Sequence, residues 1–456
     1  MKQGKKAIDL TQGRPLVQLA RFAVPLILGT LFQQFYTFTD TVIVGRCLGV
    51  DALAAVGVNA SLHFLTLGFV QGSCIGFGIP AAQSFGARDK RRLHRYLWNG
   101  VWLCAALSVA LAAGMTALAR PLLRLVHTPA DILDMAAAYI RVLFLGIPAS
   151  MLYNYTASIL RAVGDARHPF YFLVFSCFLN IGLDWLFIVP GGMGVGGAAL
   201  ATVLSQLASG LLGAWWLLAR TAGIEICRGD MAPSLHHLGR LCAVGLPMGL
   251  EHSVTAVGSV VMQNAINTLG SAAVAAQTAG EKIRQVFTSP MESMGMAMAT
   301  YTGQNYGAGR LDRVRRGIRD GLLIQGAYCL AAWTGLFLLK GGLARLVLGA
   351  DSGAVYAMAV QYITVVSTQF VLHGALMILR NTLQGLGHSG LALLSGACEL
   401  VGRSVGGWLA IRFFGYAAIC YASGLAWGLA LCYCAVTAAL VLRRLRLGTA
   451  GLSGKI

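Results

Sequence analysis

The chain has 456 residues, of which 57% are apolar and 11% are charged, and its mean hydropathy is +0.68. A soluble domain usually carries about 25% charged residues, so this composition excludes a soluble enzyme and a nucleic-acid-binding domain. The 35 Lys and Arg residues outnumber the 17 Asp and Glu residues and give a formal net charge of +18, whose meaning depends on where those charges lie.

Long intervals without a charged residue run through both halves of the chain, and one of 36 residues separates Asp51 from Arg88. A helix needs about 20 apolar residues to cross the hydrocarbon core of a membrane. The pattern therefore predicts an all-α polytopic membrane protein with twelve transmembrane helices. In chain order the predicted spans lie near 15–45, 52–84, 96–119, 136–160, 169–190, 194–219, 239–268, 271–303, 319–340, 355–384, 390–411 and 416–442.

The two halves of the chain resemble each other at a nearly constant offset. Leu48-Gly49 recurs 221 residues later as Leu269-Gly270, and the Ile-Leu-Arg run at 159–161 recurs 219 residues later at 378–380. A repeated offset indicates duplication, and six spans per repeat predict two pseudo-symmetric six-helix lobes built from parallel repeats. The predicted boundaries are 1–221 for the N-terminal lobe, 222–238 for a cytoplasmic linker and 239–456 for the C-terminal lobe.

The basic residues set the predicted orientation. The termini and the loops on one side carry 24 Lys and Arg residues, Arg380 among them, against 6 on the other side. Because cytoplasmic loops are enriched in Lys and Arg, we predict a multi-pass protein of the cell membrane with both termini in the cytoplasm. The excess charge then faces anionic lipid headgroups and requires no nucleic-acid partner.

Six acidic residues fall within predicted spans, where an ionised side chain costs about 2.5–3.5 kcal/mol. They are Asp40, Asp184, Glu251, Glu281, Glu292 and Glu399. Gln33 and Tyr36 share a helix face with Asp40, and Asn180 precedes Asp184 by four residues. If these two faces meet, the two carboxyl groups and the amide form a site for one proton or one Na⁺. The alternative is a polar cluster that only packs helices.

The acids of the C-terminal lobe fall into two kinds. Glu251 has no basic residue after it until Lys282, which predicts an unpaired acid that titrates or binds a cation. Glu399 precedes Arg403 by four residues, and this spacing favours a mutual ion pair. Glu281 and Arg284 are predicted to form a second local pair.

Four segments resemble signatures of the multidrug and toxic compound extrusion (MATE) family. They are PLILGTLFQQFYTFTDTVIVGRCLGVDALAAVG at 25–57, ILRAVGDARHP at 159–169, NIGLDWLFI at 180–188 and GQNYGAGR at 303–310. The similarity covers essentially the whole chain. It implies an antiporter with a central cavity that exports amphipathic, mostly cationic compounds in exchange for H⁺ or Na⁺ by alternating access.

The resemblance also implies a set of site residues. Members like the DinF branch bind the coupling cation with a first-span Asp, a span-five Asn and Asp, and a span-six Thr, which match Asp40, Asn180, Asp184 and Thr202. Glu251 matches a span-seven acid of NorM-like members, whose span-ten acid has no counterpart in 352–379, so a cation site in the N-terminal lobe is favoured. The predicted cavity-lining residues are Gln33, Tyr36, Tyr139 and Asn154.

Several alternatives remain beside the antiporter. A flippase for lipid or lipid-linked saccharide of the same superfamily would require a more basic cavity, whereas the predicted spans hold six acids against Lys282, Arg284 and Arg403. A channel, a membrane-embedded enzyme and a transporter of another superfamily fit less well, because we find no filter-like segment and no HExxH motif. No cofactor is predicted besides the coupling ion. The predicted partners are amphipathic cations and membrane lipid, and the protein is predicted to be a monomer.

Overall fold

The computed structural model describes residues 8–126, 128–221, 228–349 and 353–453. These ranges contain fourteen α-helices, a 3-10 helix (Arg228–Asp230), a π-helical turn (Ala410–Phe414) and no strand. The helices are α1 (Pro15–Leu48), α2 (Val50–Gly86), α3 (Lys90–Leu125), α4 (Leu133–Leu145), α5 (Ile147–Ala162), α6 (Arg167–Ile188), α7 (Gly194–Arg220), α8 (Leu235–Asn267), α9 (Ser271–Gly307), α10 (Leu311–Leu348), α11 (Gly353–Thr368), α12 (Phe370–Gly385), α13 (Ser389–Leu409) and α14 (Tyr416–Ser453).

The fourteen helices make twelve transmembrane spans, because two pairs of helices each form one bent span. The bend is 45° between α4 and α5, which meet at Gly146, and 47° between α11 and α12, which meet at Gln369. Pro148 lies directly after the first break, where its missing N–H leaves no helical hydrogen bond to lose. The twelve-span all-α fold predicted from the sequence is confirmed, with the spans at 136–160 and 355–384 interrupted rather than continuous.

Hydropathy alone identifies most of these spans. Seven helices and the two bent pairs in the described chain are long and apolar enough to cross a membrane. The other three spans are α8, α9 and α13, which carry charged side chains such as Glu251, Arg284 and Glu399. A charged residue inside a span lowers its mean hydropathy, so these three are recognised by their place in the repeat rather than by composition.

The described chain divides into two compact units. The first unit contains the described residues up to Asp9 together with Leu28–Leu250, and the second unit contains Leu10–Ile27 together with the described residues from Glu251 onward. The division therefore falls inside α1 and inside α8. The lobe boundaries predicted from the sequence stay predictions.

The core of the first unit is aromatic and aliphatic. Phe77, Leu97, Phe144 and Tyr155 are almost completely buried in one continuous cluster. Tyr155 Oη donates a hydrogen bond of 2.6 Å to the Leu97 carbonyl, so its polar end is satisfied inside the core. Burial of a large apolar side chain contributes about 1.5–3 kcal/mol, which holds α2, α3, α4 and α5 together.

Close packing in the second unit depends on small residues. A Cβ placed on Gly402 of α13 would lie 2.5 Å from Ala426 Cα of α14, and one on Gly406 would lie 2.5 Å from Ala422 Cβ. Small residues four apart on both helices let the two backbones approach closely, as is common between membrane helices. Trp427, next to Ala426, is buried in the same core.

The described part of the predicted linker packs on α3 within the first unit. Trp102 Nε1 donates to the Met231 carbonyl at 2.9 Å, and the Ser234 backbone N–H donates to Asn99 Oδ1 at 2.7 Å. These contacts anchor the segment that leads into α8. Residues 222–227 of the predicted linker lie outside the described residues, as do the basic residues of 1–7 and 454–456 on which the predicted orientation draws.

Candidate functional site

Helices of the first unit bring the predicted cation-site residues together. Asp40 follows Tyr36 by one helical turn on α1, and Asp184 follows Asn180 by one turn on α6. Thr202 lies on α7. Asn180 and Asp184 are fully buried. Four-residue spacing places each pair on one helix face, so the two faces meet as the sequence predicted.

The two carboxyl groups contact each other directly. The Asp40 and Asp184 side chains are joined by a hydrogen bond. Oδ1 of each residue is buried and has no hydrogen-bond partner within the described chain. Buried polar groups are nearly always hydrogen-bonded, and a hydrogen bond between two carboxyl groups needs a proton on one of them. The two unpartnered oxygens therefore leave room in the hydrogen bonding of the pair for a proton or a small cation.

The Asn180 amide ties this pair to the neighbouring helices. Its nitrogen donates to Asp184 Oδ2 at 2.8 Å and to Tyr36 Oη at 3.3 Å, and its oxygen accepts from the Thr202 backbone N–H at 3.1 Å. This is the amide orientation that satisfies both ends of the group. Tyr36 is also hydrogen-bonded to the Thr202 side chain. The contacts join α1, α6 and α7 into one polar cluster.

The donor set of the cluster consists of carboxyl, amide and hydroxyl oxygens. Hard cations prefer such oxygen ligands, and a carboxyl pair also holds a proton. Across the described residues, no group of three or more His, Cys, Asp or Glu side chains could hold a metal ion. The chemistry of the cluster thus suits one Na⁺ or one proton.

The other predicted cavity-lining residues have different surroundings. Tyr139 on α4 is almost buried and lies close enough to interact electrostatically with Asp40 and Asp184. Gln33 is exposed, and Asn154 Nδ2 donates to the Ser150 carbonyl of its own helix at 2.8 Å. The role of Tyr36, Tyr139, Gln33 and Asn154 in lining a substrate cavity stays a prediction.

In the second unit Arg380 forms ion pairs with two of the acids. Arg380 Nη1 lies 3.0 Å from Glu251 Oε1, and Nη2 contacts Glu399 Oε1. The expectation that Glu251 has no basic partner is wrong, because tertiary packing brings Arg380 of α12 against α8. Arg380 lies within α12 and not in a loop, and its side chain is 8% exposed. The side of the membrane assigned to it stays a prediction. The sequence did contain a sign of this ion pair, because Arg380 lies within the predicted span at 355–384, where a charged side chain needs a partner.

The ion pair extends into a longer network. Gln384 Nε2 donates to Glu251 Oε2 at 2.9 Å. The predicted pair of Glu399 and Arg403 is present, with Arg403 Nη2 3.4 Å from Glu399 Oε2, and Arg403 Nη1 donates to the Thr255 carbonyl at 3.0 Å. The network joins α8, α12 and α13, and its two acids and two bases balance in charge.

The second predicted local pair is also present in the second unit. Arg284 Nη2 lies 2.5 Å from Glu281 Oε2, and the Tyr362 hydroxyl is hydrogen-bonded to Glu281 Oε1. Glu251, Glu281 and Glu399 are therefore all paired, in contrast to the carboxyl pair of the first unit.

Comparison with protein families identifies the chain. A model of the MatE family matches residues 25–186 and again 247–409, and the double match fits the duplication seen in the sequence. The probable multidrug resistance protein YpnP of Bacillus subtilis is 32% identical over 310 residues, which cover 68% of this chain and 69% of that protein. The probable multidrug resistance protein NorM of Pseudomonas aeruginosa is 30% identical over 431 residues, which cover 91% and 86%.

Solved structures show the same fold. A MOP superfamily transporter from Pyrococcus furiosus superposes with a TM-score of 0.91 and 24% identity over 98% of this chain and 100% of that chain. A multidrug resistance MATE family transporter in an outward-facing conformation gives a TM-score of 0.90 at 24% identity, over 98% and 100%. The chain therefore belongs to the MatE family, the multidrug and toxic compound extrusion (MATE) transporters.

Proposed function

We propose that the protein is a secondary active antiporter, which exports amphipathic, mostly cationic drugs and toxic compounds in exchange for H⁺ or Na⁺. Relatives named as multidrug resistance proteins support the class of cargo. The observation that carries the coupling is the hydrogen-bonded pair of Asp40 and Asp184, with one buried, unpartnered oxygen on each carboxyl group.

The carboxyl pair makes the cation bind more tightly to one conformation of the protein than to the other. Two ionised carboxylates in contact repel each other strongly in a low-dielectric interior. A bound proton or Na⁺ removes this repulsion and favours the arrangement in which α1 rests against α6. A ligand shifts a conformational equilibrium only by binding one state better, and the neutralised pair meets that requirement.

Movement of α1 links the cation to the cargo in this proposal. Pro25 lies inside α1, where a proline removes a helical hydrogen bond and allows a bend. Binding of the cation from outside would hold α1 against α6 in the conformation that has released the drug. Loss of the cation to the cytoplasm would then free α1 and restore the drug-binding conformation, which completes an alternating-access cycle.

We further infer that the protein lies in the cell membrane with both termini in the cytoplasm and works as a monomer. The orientation rests on the basic residues of the loops. The monomer is supported by the composition of the cation cluster, since Asp40, Asn180, Asp184 and Thr202 all belong to the first unit of one chain.

Flipping of a lipid or lipid-linked saccharide has weaker support from the charges. A phosphate headgroup needs basic side chains that are free to bind it. Arg284 and Arg403 lie within spans, but they are paired with Glu281 and Glu399. Lys282 is exposed and is in no ion pair within the described chain, so a single ammonium group, rather than a basic cluster, is left to bind a phosphate in this part of the chain.

Dye transport into inverted membrane vesicles tests the proposal. A NaCl gradient and, separately, a proton gradient, each with the higher concentration in the vesicle lumen, should drive uptake of a cationic fluorescent dye by the wild-type protein with one of the two ions. Asp40→Asn should abolish this uptake. The control Asp134→Asn, whose side chain is 84% exposed, should retain it.

Two outcomes contradict the proposal. If Asp40→Asn transports dye at the wild-type rate, the assignment of coupling to the carboxyl pair is wrong. If neither gradient moves any dye while an undecaprenyl-linked substrate is flipped, the flippase replaces the antiporter.

A further inference from the structure

One face of α9 combines exposure with charge. Most of the helix is buried against α10, α11 and α12. The exposed positions from 275 to 292 are spaced by one to six residues and fall on one side of the helix. They are Ala275, Thr278, Lys282, Gln285, Val286 and Glu292. From Phe287 to Asn305, a stretch described without a gap, Glu292 is the one exposed residue.

The charges on this face favour water over lipid as its surroundings. α9 is a membrane-spanning helix, and a charged side chain in contact with hydrocarbon costs about 2.5–3.5 kcal/mol. Lys282, Gln285 and Glu292 on the same side would multiply that cost. Their exposure is therefore explained by a water-filled chamber within the membrane, which is where a transporter holds its cargo.

Glu292 also differs from the other acids that the second unit places within spans. Glu281 is paired with Arg284, and Glu399 with Arg380 and Arg403. Glu251 is paired with Arg380 as well. For Glu292, no basic group of the described chain lies within ion-pair distance. Arg284 and Arg380 act on Glu292 electrostatically from beyond that distance, so the carboxylate itself stays free to contact a charge that arrives with a ligand.

We propose that Glu292 determines substrate specificity by binding the cationic group of the exported compound. The inference rests on the proposed export of amphipathic cations and assigns their recognition to a residue separate from the coupling pair. Gln285 and Val286, one to two turns away on the same face, offer a mixed surface for the rest of the molecule. Lys282 lies ten residues away, about 15 Å along the axis, and repels a second positive charge at that end.

Binding to the purified protein in detergent tests this assignment. The probe is ethidium, a permanent amphipathic cation, and its Kd is measured by fluorescence polarisation. Glu292→Gln removes the charge with little change in shape and should weaken binding about tenfold or more. Glu292→Asp keeps the charge and should stay within about threefold of the wild type. Lys282→Gln, the matched control on the same face, should bind at least as tightly as the wild type.

Each result separates this inference from the proposed function. If wild-type protein binds and transports ethidium, and Glu292→Gln binds it equally well, the specificity assignment fails while the antiporter stands. Equal weakening by Glu292→Gln and Lys282→Gln would also overturn the assignment, because a direct contact depends on the sign of the charge. If wild-type protein neither binds nor transports ethidium or any other cation of a test panel, both the proposed function and the assignment of Glu292 fail.

Discussion

Replacement of Arg380 by methionine should destabilise the second unit strongly. The side chains of Arg380 and Glu251 are each 8% exposed and that of Glu399 is 4% exposed, so the substitution leaves two carboxylates buried without their shared partner. Removal of one member of a buried ion pair costs about 3–5 kcal/mol. Gln384 and Arg403 still contact one carboxylate each, which places the expected loss near 4 kcal/mol.

Thermal unfolding in detergent micelles, followed by circular dichroism, measures this loss. For a unit of this size, 1 kcal/mol corresponds to about 2–4 °C in Tm, so Arg380→Met should lower Tm by roughly 10 °C. The control is Asp134→Asn, which breaks the exposed pair of Arg120 and Asp134 and should cost about 0–1 kcal/mol.

A second variant tests whether the loss of Tm comes from the unpaired carboxylates or from the loss of the arginine side chain itself. Arg380→Met combined with Glu251→Gln and Glu399→Gln removes the buried charges together, and a neutral replacement of a buried ion pair is often tolerated. Most of the lost Tm should return. If Arg380→Met alone lowers Tm no more than Asp134→Asn, or if the combined variant is less stable than the single one, the uncompensated-charge argument is refuted.

Three further predictions concern packing, the linker and the cation cluster. Gly402→Ala should lower Tm by an amount equivalent to about 1–3 kcal/mol, because its Cβ would meet the α14 backbone at 2.5 Å. Gly390→Ala on the same helix has open space around its Cβ and should be neutral or slightly stabilising. Asn99→Ala removes the acceptor of the Ser234 N–H and should speed proteolysis at 231–234. Thr202→Val removes a hydroxyl from the cluster and should raise the Na⁺ concentration needed for half-maximal dye transport.

Each of these three has a contrary outcome. Equal Tm values for the two glycine variants would show that α13 and α14 do not pack as closely as described. An unchanged cleavage rate in Asn99→Ala would mean that its hydrogen bond does not hold the linker. An unchanged Na⁺ requirement in Thr202→Val, beside a normal response to a pH step, would assign the coupling to protons.

Much of the cation cluster was predictable because its residues form pairs that are close together in the sequence. Asp40 with Tyr36, and Asp184 with Asn180, are spaced by one helical turn, so each pair shares a face wherever its helix packs. The cost of charge in a membrane then makes contact between the two faces the simplest prediction. The hydrogen bonds of the Asn180 amide to three different groups could not be predicted, since they depend on how α1, α6 and α7 are placed.

The charges of the second unit were predictable only where both partners share a helix. Glu399 with Arg403 and Glu281 with Arg284 follow from spacing alone. Glu251 and Arg380 are far apart in the sequence, and no periodicity links α8 to α12. The same holds for Glu292, whose exposure depends on which side of α9 its neighbours cover.

By itself the sequence determined that the chain is a membrane protein, that it has twelve spans, that its halves are duplicated and which family it resembles. These properties follow from the distribution of charge and from motifs along the chain. The tertiary structure decided which intramembrane charges are compensated. A charge on one helix is neutralised or left free by side chains from other helices, and only their packing brings those groups within contact distance. It brought Asp40 against Asp184, enclosed Glu251 with Arg380, and left the side chain of Glu292 exposed.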